Sequence, residues 1–283
     1  MRLSRILSQE GITRRQASGL AENIPGKHIL EDAKVLGDAK VTGQATISGK
    51  SRVYNMAVVS GHAKVYDDAV VYGKARVSGN AKVFGEAEVF NSARVFEEAE
   101  VFGHAKVSGD AAVYGTALVM DYAQVSERAQ VYDTVKLYGN CEVRGTAKVY
   151  GNASIGRLVR ISGNAEVSGE AELSGESIVY GEATVRGAAR ATNSAQIYGT
   201  SIVSGAAWIA GKAQVYDFAE VSGKAQVFER AQVFGKAEVK GEAKVFGTAR
   251  IGGDAVILGG KWDGSEGEIL FGTWTGPGEQ VTF

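Results

Sequence analysis

The sequence predicts an all-β solenoid built from a six-residue repeat. A Val or Ile returns at nearly every sixth position from Ile29 to Ile257, and the frame contains no insertion or deletion over that span. Gly, Asn or Asp stands two residues after most of these positions, and Ala stands four residues after most of them. Self-similarity at a short fixed period indicates stacked coils, because no single repeat can bury its own apolar face.

Within each hexad, the β-branched residue and its two neighbours are expected to form a short strand. Alternate side chains of a strand point to opposite faces, so the Val column faces the core and its neighbours face outward. Gly two residues later allows the positive φ of a corner, and Asn and Asp tolerate that region best among the other residues. Charged long side chains stand at some corners, where strain of about 1–2 kcal/mol or a different turn is expected. These corners are Glu31, Glu97, Glu127, Arg157 and Glu229.

The Ala column fits a narrow interior angle between neighbouring sides of the coil. A hexad that turns at each end forms one side, and the simplest closed shape is a triangle, so three hexads would make one coil of parallel strands. The 39 hexads from Ile29 to Ile257 then predict about 13 coils, and a rod of roughly 60 Å at a strand spacing of about 4.8 Å. Cys141 stands in the Ala column and is expected to be a small buried residue.

This pattern resembles the hexapeptide-repeat left-handed β-helix family, which includes trimeric acyltransferases and γ-type carbonic anhydrases. The resemblance covers about four fifths of the chain, and it implies a single-stranded left-handed parallel β-helix of triangular section. Glycine here lies two residues after the β-branched position, whereas many of the enzymes have it one residue after. In this respect, and in its uninterrupted frame, the chain is more similar to the non-catalytic members.

Both ends of the predicted rod carry segments that leave the repeat. Residues 1–28 have apolar residues at helical spacing, broken at Gly11, and are expected to form a helical cap. Residues 260–283 place an apolar stretch between Asp263-Gly264 and Gly276-Pro277-Gly278, which indicates a hairpin cap. Caps are expected because open coils present unpaired strand edges. The hexapeptide-repeat domain is therefore assigned to residues 29–259.

The first of these segments also resembles the helical half of an S4 RNA-binding module, from Arg2 to Ala17. In that family the paired arginines of the second helix, here Arg14 and Arg15, face RNA. Residues 1–28 contain five basic and two acidic side chains, a charge of about +3, whereas the remainder carries about −4. An RNA-associated adaptor that uses Arg14 and Arg15 is therefore one functional hypothesis.

The near-zero net charge argues against partners that bind through long-range electrostatic attraction. Lys and Arg total 31 against 32 Asp and Glu, so nucleic acid and anionic membranes are not attracted by the chain as a whole. No apolar run is long enough for a membrane helix, and no secretion signal is visible. We therefore expect a cytoplasmic protein without membrane contact.

No catalytic or metal-binding arrangement is predicted. An acyltransferase-like enzyme, a second functional hypothesis, needs a catalytic base and loops that leave the coil, and the frame leaves no room for such loops. His62 and His104 fall on different edges of the prism, so they cannot share a metal within one chain. His28 precedes the repeat. We expect no cofactor, no metal and no catalytic residue.

The remaining candidate site lies one residue after the Val column, where aromatic residues recur at every third hexad. Parallel strands about 4.8 Å apart would stack these rings in ladders, each contact being worth around 0.5–1.5 kcal/mol. The residues assigned to a partner-binding surface are Tyr54, Tyr72, Phe90, Phe96, Tyr114, Tyr132, Tyr150, Phe84 and Phe102. Tyr180, Tyr198, Tyr216 and Phe234 stand further along one of the same columns.

Outward aromatic rings beside apolar neighbours form a surface that soluble monomers seldom leave uncovered. Tyrosine is favoured at protein contacts, so self-association or a protein partner is expected on these faces. The sequence therefore predicts a structural or interaction rod without catalysis. The acyltransferase-like enzyme and the RNA-associated adaptor are the alternatives.

Overall fold

The fold was analysed in a computed structural model, which describes residues 28–281. These residues are all β, without a helix. They belong to two units, a first that ends at Thr116 and a second that begins at Ala117.

Every hexad contributes one strand of two residues, formed by the β-branched residue and the residue before it. In the first unit the strands run from β1 (His28–Ile29) to β15 (Ala112–Val113), one in each hexad. In the second unit they run from β16 (Leu118–Val119) to β39 (Val256–Ile257) at the same interval. Three strands make one turn, so the hexads form five turns in the first unit and eight in the second. The predicted number of about 13 coils is confirmed.

Each strand pairs in parallel with the strand one turn later, which gives three sheets per unit. In the first unit, sheets 1, 2 and 3 begin with β1, β2 (Lys34–Val35) and β3 (Lys40–Val41), and each takes every third strand. In the second unit they begin with β16, β17 (Gln124–Val125) and β18 (Gln130–Val131). Paired residues are separated by one full turn, so Val35 lies opposite Val53. The predicted parallel solenoid with three hexads per coil is therefore confirmed.

The core consists of the Val and Ala columns, as predicted. Val53 and Ala57 are fully buried, and so are nearly all the residues that repeat them. Cys141 is buried in the Ala column, where desolvation raises the pKa of its thiol to about 12. Ser201 stands in the same column, and its hydroxyl donates to the carbonyl of Tyr198 at 2.8 Å. The interior is thus apolar, with its few hydroxyls bonded to backbone carbonyls.

Every corner of the repeat from Glu31 to Gly253 has the left-handed backbone conformation. The Glu and Arg corners do not turn differently, since Glu97 has φ 61° and Arg157 has φ 62°. Several acidic corners gain a hydrogen bond that offsets this strain, because the carboxylate accepts the backbone N–H of the glycine one turn later. The Glu97 carboxylate accepts from Gly115 at 2.9 Å, and the Glu229 carboxylate accepts from Gly247 at 2.8 Å. The other carboxylates bound in this way belong to Asp67, Asp121, Asp133 and Asp217.

A second rule governs the corners, and its cause is steric. Within each unit, no non-glycine corner between residues 28 and 257 stands exactly one turn after another non-glycine corner. A Cβ at Gly175 would lie 2.6 Å from the backbone nitrogen and 2.7 Å from the Cα of Asn193, the corner one turn later. At Gly181, which precedes Gly199, the distances are 3.1 Å to the nitrogen and 3.4 Å to the Cα, and the nearest atom is the carbonyl oxygen at 2.9 Å. Two stacked side-chain-bearing corners would therefore crowd each other at Gly175. Gly37 is an exception, because a Cβ there would lie 3.5 Å from the backbone of Asn55.

After Ile257 the sheets of the second unit gain one more strand each. Strands β40 (Lys261–Trp262), β41 (Glu268–Ile269) and β42 (Thr273–Gly276) continue sheets 1, 2 and 3 in parallel. Strand β43 (Glu279–Val281) then pairs antiparallel with β42. Trp262 takes the place of a core valine, is almost fully buried, and meets the ring of Trp274 edge-on at 5.9 Å. The last turn thus fills the core with two indole rings.

The predicted helical cap at residues 1–28 lies outside the described residues, apart from the backbone of His28 in β1. At the first described turn, Ile29 and Leu30 are 38% and 49% exposed. Later members of the Val column are fully buried, so the first turn has less cover than those that follow.

Candidate interaction faces

The predicted aromatic ladders are present as stacked rings. In the first unit, Tyr54, Tyr72 and Phe90 stack with centroid distances of 5.1 and 5.0 Å and nearly parallel planes. Sheet 1 of that unit carries Tyr66, Phe84 and Phe102 at 4.8 Å, and sheet 3 carries Phe96 and Tyr114 at 4.8 Å. In the second unit Tyr132 stacks on Tyr150 at 5.1 Å. All nine residues assigned to the surface therefore take part in ring stacks.

Most of the rings are half-buried, whereas Tyr138 and Tyr180 are exposed, and the last ring of a ladder leans over the turn that follows. This is clearest where a glycine follows the last ring. A Cβ at Gly252 would lie 2.3 Å from the Phe234 ring, and one at Gly156 would lie 2.2 Å from the Tyr138 ring. Ring faces therefore contact each other or the backbone, and ring edges point to solvent.

Charged residues flank the ladders of the first unit. Beside the ladder on its sheet 2, Lys106 Nζ lies 3.1 Å from the Glu88 carboxylate, and the Tyr72 hydroxyl is 3.5 Å from the same carboxylate. On sheet 1, Lys82 and Glu100 are 2.7 Å apart, and this hydrogen bond raises the pKa of the lysine. These pairs are partly exposed to solvent, so each contributes about 1 kcal/mol or less. A partner that covered these ladders would have to desolvate the charges.

Sheet 2 of the second unit has a different composition, and we call its central four turns the amide–aromatic face. Its outward residues are Ile178, Tyr180, Gln196, Tyr198, Gln214, Tyr216, Gln232 and Phe234. No side chain at the outward strand positions of these four turns is charged at neutral pH. Elsewhere in either unit, the outward positions of one sheet stay uncharged for no more than two consecutive turns among the described residues. The face is therefore the longest uncharged stretch of sheet surface within residues 28–281.

Two parallel ladders run along this face. The rings from Tyr180 to Phe234 stack at 4.8, 5.0 and 5.4 Å. Beside them, the side-chain amide of Gln214 donates to Gln196 at 3.4 Å, and that of Gln232 donates to Gln214 at 3.2 Å. The rings were predicted from the sequence and the glutamines were missed, although they too recur at every third hexad.

An arginine ends the ladder of the amide–aromatic face. The guanidinium of Arg250 lies 4.9 Å from the centroid of Phe234 and hydrogen-bonds to Gln232. Its charge is paired with Glu268 at 2.9 Å. The uncharged face therefore stops at the turn that contains Arg250.

Burial also affects the tyrosine hydroxyls. Desolvation raises the pKa of Tyr198 and of Tyr216 above its ordinary value, and the same effect raises the pKa of Tyr66 in the first unit. All three groups stay protonated and uncharged at neutral pH. They can therefore both donate and accept a hydrogen bond at a contact.

The other sequence candidates do not come together. His62 is exposed at a corner, and His104 Nδ1 lies 3.5 Å from the Glu86 carboxylate. Residues 28–281 hold no group of three or more His, Cys, Asp or Glu side chains that could bind a metal. A shallow depression of about 480 Å³ lies at corners of the second unit, and it is lined by Gly211, Lys212, Glu229, Arg230, Gly247 and Thr248. Arg14 and Arg15 lie outside the described residues.

Comparison with known proteins adds no further constraint. No protein-family model matches the chain, and no curated protein matches it either. Within residues 28–281, no helix has the length and apolar character needed to cross a bilayer.

Proposed function

We propose that this chain is a non-enzymatic structural or interaction module that binds a protein partner or itself through its lateral aromatic ladders. The observation that carries the proposal is the set of stacked rings on all three sheets, which presents rigid ring edges to solvent in regular rows. Rigid aromatic residues lose little conformational entropy on binding and are favoured at protein contacts. We place this activity in the cytoplasm.

The proposal includes the finer features of the fold. It takes the coil to be left-handed and triangular, with residues 1–28 covering the first turn and residues 260–283 closing the last. The buried Trp262 with its edge contact to Trp274 supports a closed C-terminal end. Exposed Ile29 and Leu30, which follow a segment with apolar residues at helical spacing, support a cover at the other end.

A quantitative pull-down with the full chain tests the function. The chain is compared with a Tyr114→Ser/Tyr132→Ser variant, and a Tyr114→Phe/Tyr132→Phe variant serves as a matched control that keeps the rings. We expect partners or self-association to weaken with the serine variant and to persist with the phenylalanine variant. Unchanged mass and unchanged partners across all three proteins would argue against the ladders as the binding surface.

Two further measurements separate the alternatives: a pull-down with and without nuclease, and an assay with acetyl-coenzyme A. Nuclease-sensitive material that is lost in an Arg14→Ala/Arg15→Ala variant would move the function to the N-terminal segment and to RNA. Saturable binding or turnover of acetyl-coenzyme A would defeat the non-enzymatic proposal. Each result points to one hypothesis, because the three readouts are partner capture, nuclease sensitivity and coenzyme A binding.

A further inference from the structure

We propose that the amide–aromatic face is the contact of a two-fold dimer in which two copies of this chain pack sheet 2 of their second units together in antiparallel orientation. This inference rests on the proposed function and names the occupant of one face. A two-fold contact uses the same patch on both copies, so the patch must be complementary to itself.

The centre of the face meets that requirement. Each glutamine amide both donates and accepts, and so does each tyrosine hydroxyl. The ladder bonds from Gln214 to Gln196 and from Gln232 to Gln214 use one donor and one acceptor per contact, which leaves others for a partner. Because no outward strand residue of the four turns is charged, the two copies meet without like-charge contacts at the centre. In the antiparallel arrangement the Gln196 turn of one copy faces the Gln214 turn of the other.

The corners that border the face select the orientation. At its N-terminal turn the bordering corners carry Glu176 and Glu182, and at its C-terminal turn they carry Arg230 and Lys236. All four side chains are exposed, and none has an ion pair within the described residues. A two-fold axis along the strand direction makes the coil axes of the two copies antiparallel. It places Glu176 opposite Arg230 of the partner subunit. It also places Glu182 opposite Lys236 of the partner subunit, so both contacts at the end turns join opposite charges. At the middle turns, Lys212 and Asp217 face uncharged corners of the partner subunit.

A parallel arrangement has the reverse outcome. A two-fold axis along the coil axis would place Glu176 opposite the partner's Glu182 and Arg230 opposite the partner's Lys236. Like charges that meet at an interface disfavour that arrangement strongly. The border charges therefore specify antiparallel packing, while the amides and rings supply the contact area.

The turns on either side of the face limit the length of the contact. Arg160 precedes the face and Arg250 follows it, and the antiparallel axis would bring Arg160 opposite the partner's Arg250. The face is four strands high, with a spacing of about 4.8 Å, and one side of the coil, about 20 Å, wide. Counted on both copies, the buried area is roughly 800 Å², which is below the roughly 1,200–2,000 Å² of stable interfaces. The dimer is therefore expected to be weak and to form at micromolar or higher concentration.

Sedimentation equilibrium of the full chain, from about 1 μM to about 1 mM, tests the inference. We expect reversible dimerisation that weakens with added salt, because the border pairs are exposed. A Glu176→Lys/Glu182→Lys variant should raise the dimer Kd by about 10- to 100-fold, since Lys then faces Arg and Lys. A Glu170→Lys/Glu242→Lys variant changes the net charge equally at corners away from sheet 2, and it should leave the Kd close to that of the unaltered chain.

Combining Glu176→Lys and Glu182→Lys with Arg230→Glu and Lys236→Glu in one chain restores opposite charges in the antiparallel dimer only. We expect this chain to regain the original Kd, which also shows that the corner substitutions do not prevent folding. A monomer at every concentration, an unchanged Kd after the double reversal, or no recovery in the four-fold variant would each overturn the inference. A monomeric chain that still retains a partner in a ladder-dependent way would defeat this dimer and leave the proposed function standing.

Discussion

Sheet 2 carries an aromatic ladder in each unit, and the two ladders differ in their neighbours more than in their rings. The rings of Tyr54, Tyr72 and Phe90 stack at 5.1 and 5.0 Å, and those of Tyr198, Tyr216 and Phe234 stack at 5.0 and 5.4 Å. In the first unit the adjacent column holds the Glu88–Lys106 ion pair. In the second unit it holds three glutamines in a hydrogen-bonded row.

One ladder can therefore have two separate roles. Ring stacking stabilises the solenoid in both units, because each ring covers the turn that follows. Whether the face can also be covered by another protein depends on the adjacent column, since charges must be desolvated and neutral amides can pair directly. Under the proposed dimer, the residue before the Val column distinguishes the ladder that forms an interface from the ladder that does not.

The largest effect is expected at a corner beside the second ladder. Gly175→Asn would place a Cβ 2.7 Å from the Cα of Asn193, whereas Gly181→Asn, on the other side of the same strand, would meet a glycine with its Cα at 3.4 Å. We expect Gly175→Asn to lower the free energy of unfolding by about 3 kcal/mol and Gly181→Asn by about 1 kcal/mol. Denaturant melts of both variants measure this, and equal losses would contradict the steric rule.

Removal of a middle ring tests whether stacking is equivalent in the two ladders. Tyr72→Ser and Tyr216→Ser each lose two ring contacts, so both should lower the free energy of unfolding by about 1–3 kcal/mol. Only Tyr216→Ser should also weaken dimerisation. Thermal melts and sedimentation of the two variants give the comparison, with Tyr72→Phe and Tyr216→Phe as controls that keep the ring. Equal losses of dimer in both serine variants would remove the distinction between the ladders.

Exchange of the adjacent residues tests the distinction directly. Gln214→Glu puts a carboxylate at the centre of the amide–aromatic face and should weaken dimerisation by about 10-fold or more. Glu88→Gln removes one exposed ion pair in the first unit and should change stability by no more than about 1 kcal/mol. The dimer Kd and the melting temperature of each variant measure these effects. A Gln214→Glu chain that dimerises normally would show that the amides are not part of the contact.

The smallest effect is expected at alkaline pH. Burial raises the pKa of Tyr198 and Tyr216, so above about pH 10 the unfolded chain releases these protons more readily than the folded chain. Their contribution to stability is complete below the ordinary tyrosine pKa and is lost as pH rises through the folded values. Absorbance at the tyrosinate wavelength, with Tyr198→Phe/Tyr216→Phe as reference, should show delayed ionisation of this pair. Ionisation at the ordinary pKa would mean that the hydroxyls are not desolvated.

Much of this fold could be predicted because each hexad position obeys a local rule. β-Branched residues specify the strands, glycine specifies the corners, and recurrence at every third hexad aligns the rings. The last turn escaped prediction because its steps change. Lys261 lies opposite Lys244 and Thr273 lies opposite Val256, so each of these steps is a single residue shorter than three hexads. Tryptophan also replaces valine there, so the column could not be followed by residue type.

The candidate site was predictable only in part. Ring columns are visible because aromatic residues are few, whereas glutamines and corner carboxylates are common residues that gain significance only through their three-dimensional neighbours. The bond from Gly115 N–H to the Glu97 carboxylate, for example, follows from the left-handed corner and from the register of the next turn. The alternation of glycine with larger corners likewise required the distance between stacked corners.

The strict register of whole turns has a consequence for how such a chain can change in length. Loss or duplication of three consecutive hexads would leave every later residue on its original sheet, so ladders would only shorten or lengthen. Loss of a single hexad between Tyr198 and Gln214 would keep the core columns intact and yet rotate everything downstream by one side. Tyr216 and Gln214 would then be carried away from Tyr198 and Gln196. Loss of that hexad would also stack the Asp217 corner one turn after the Asn193 corner, which the steric rule disfavours. A change by complete turns therefore preserves the sheet surfaces, whereas loss of this single hexad disturbs both the surfaces and the corners.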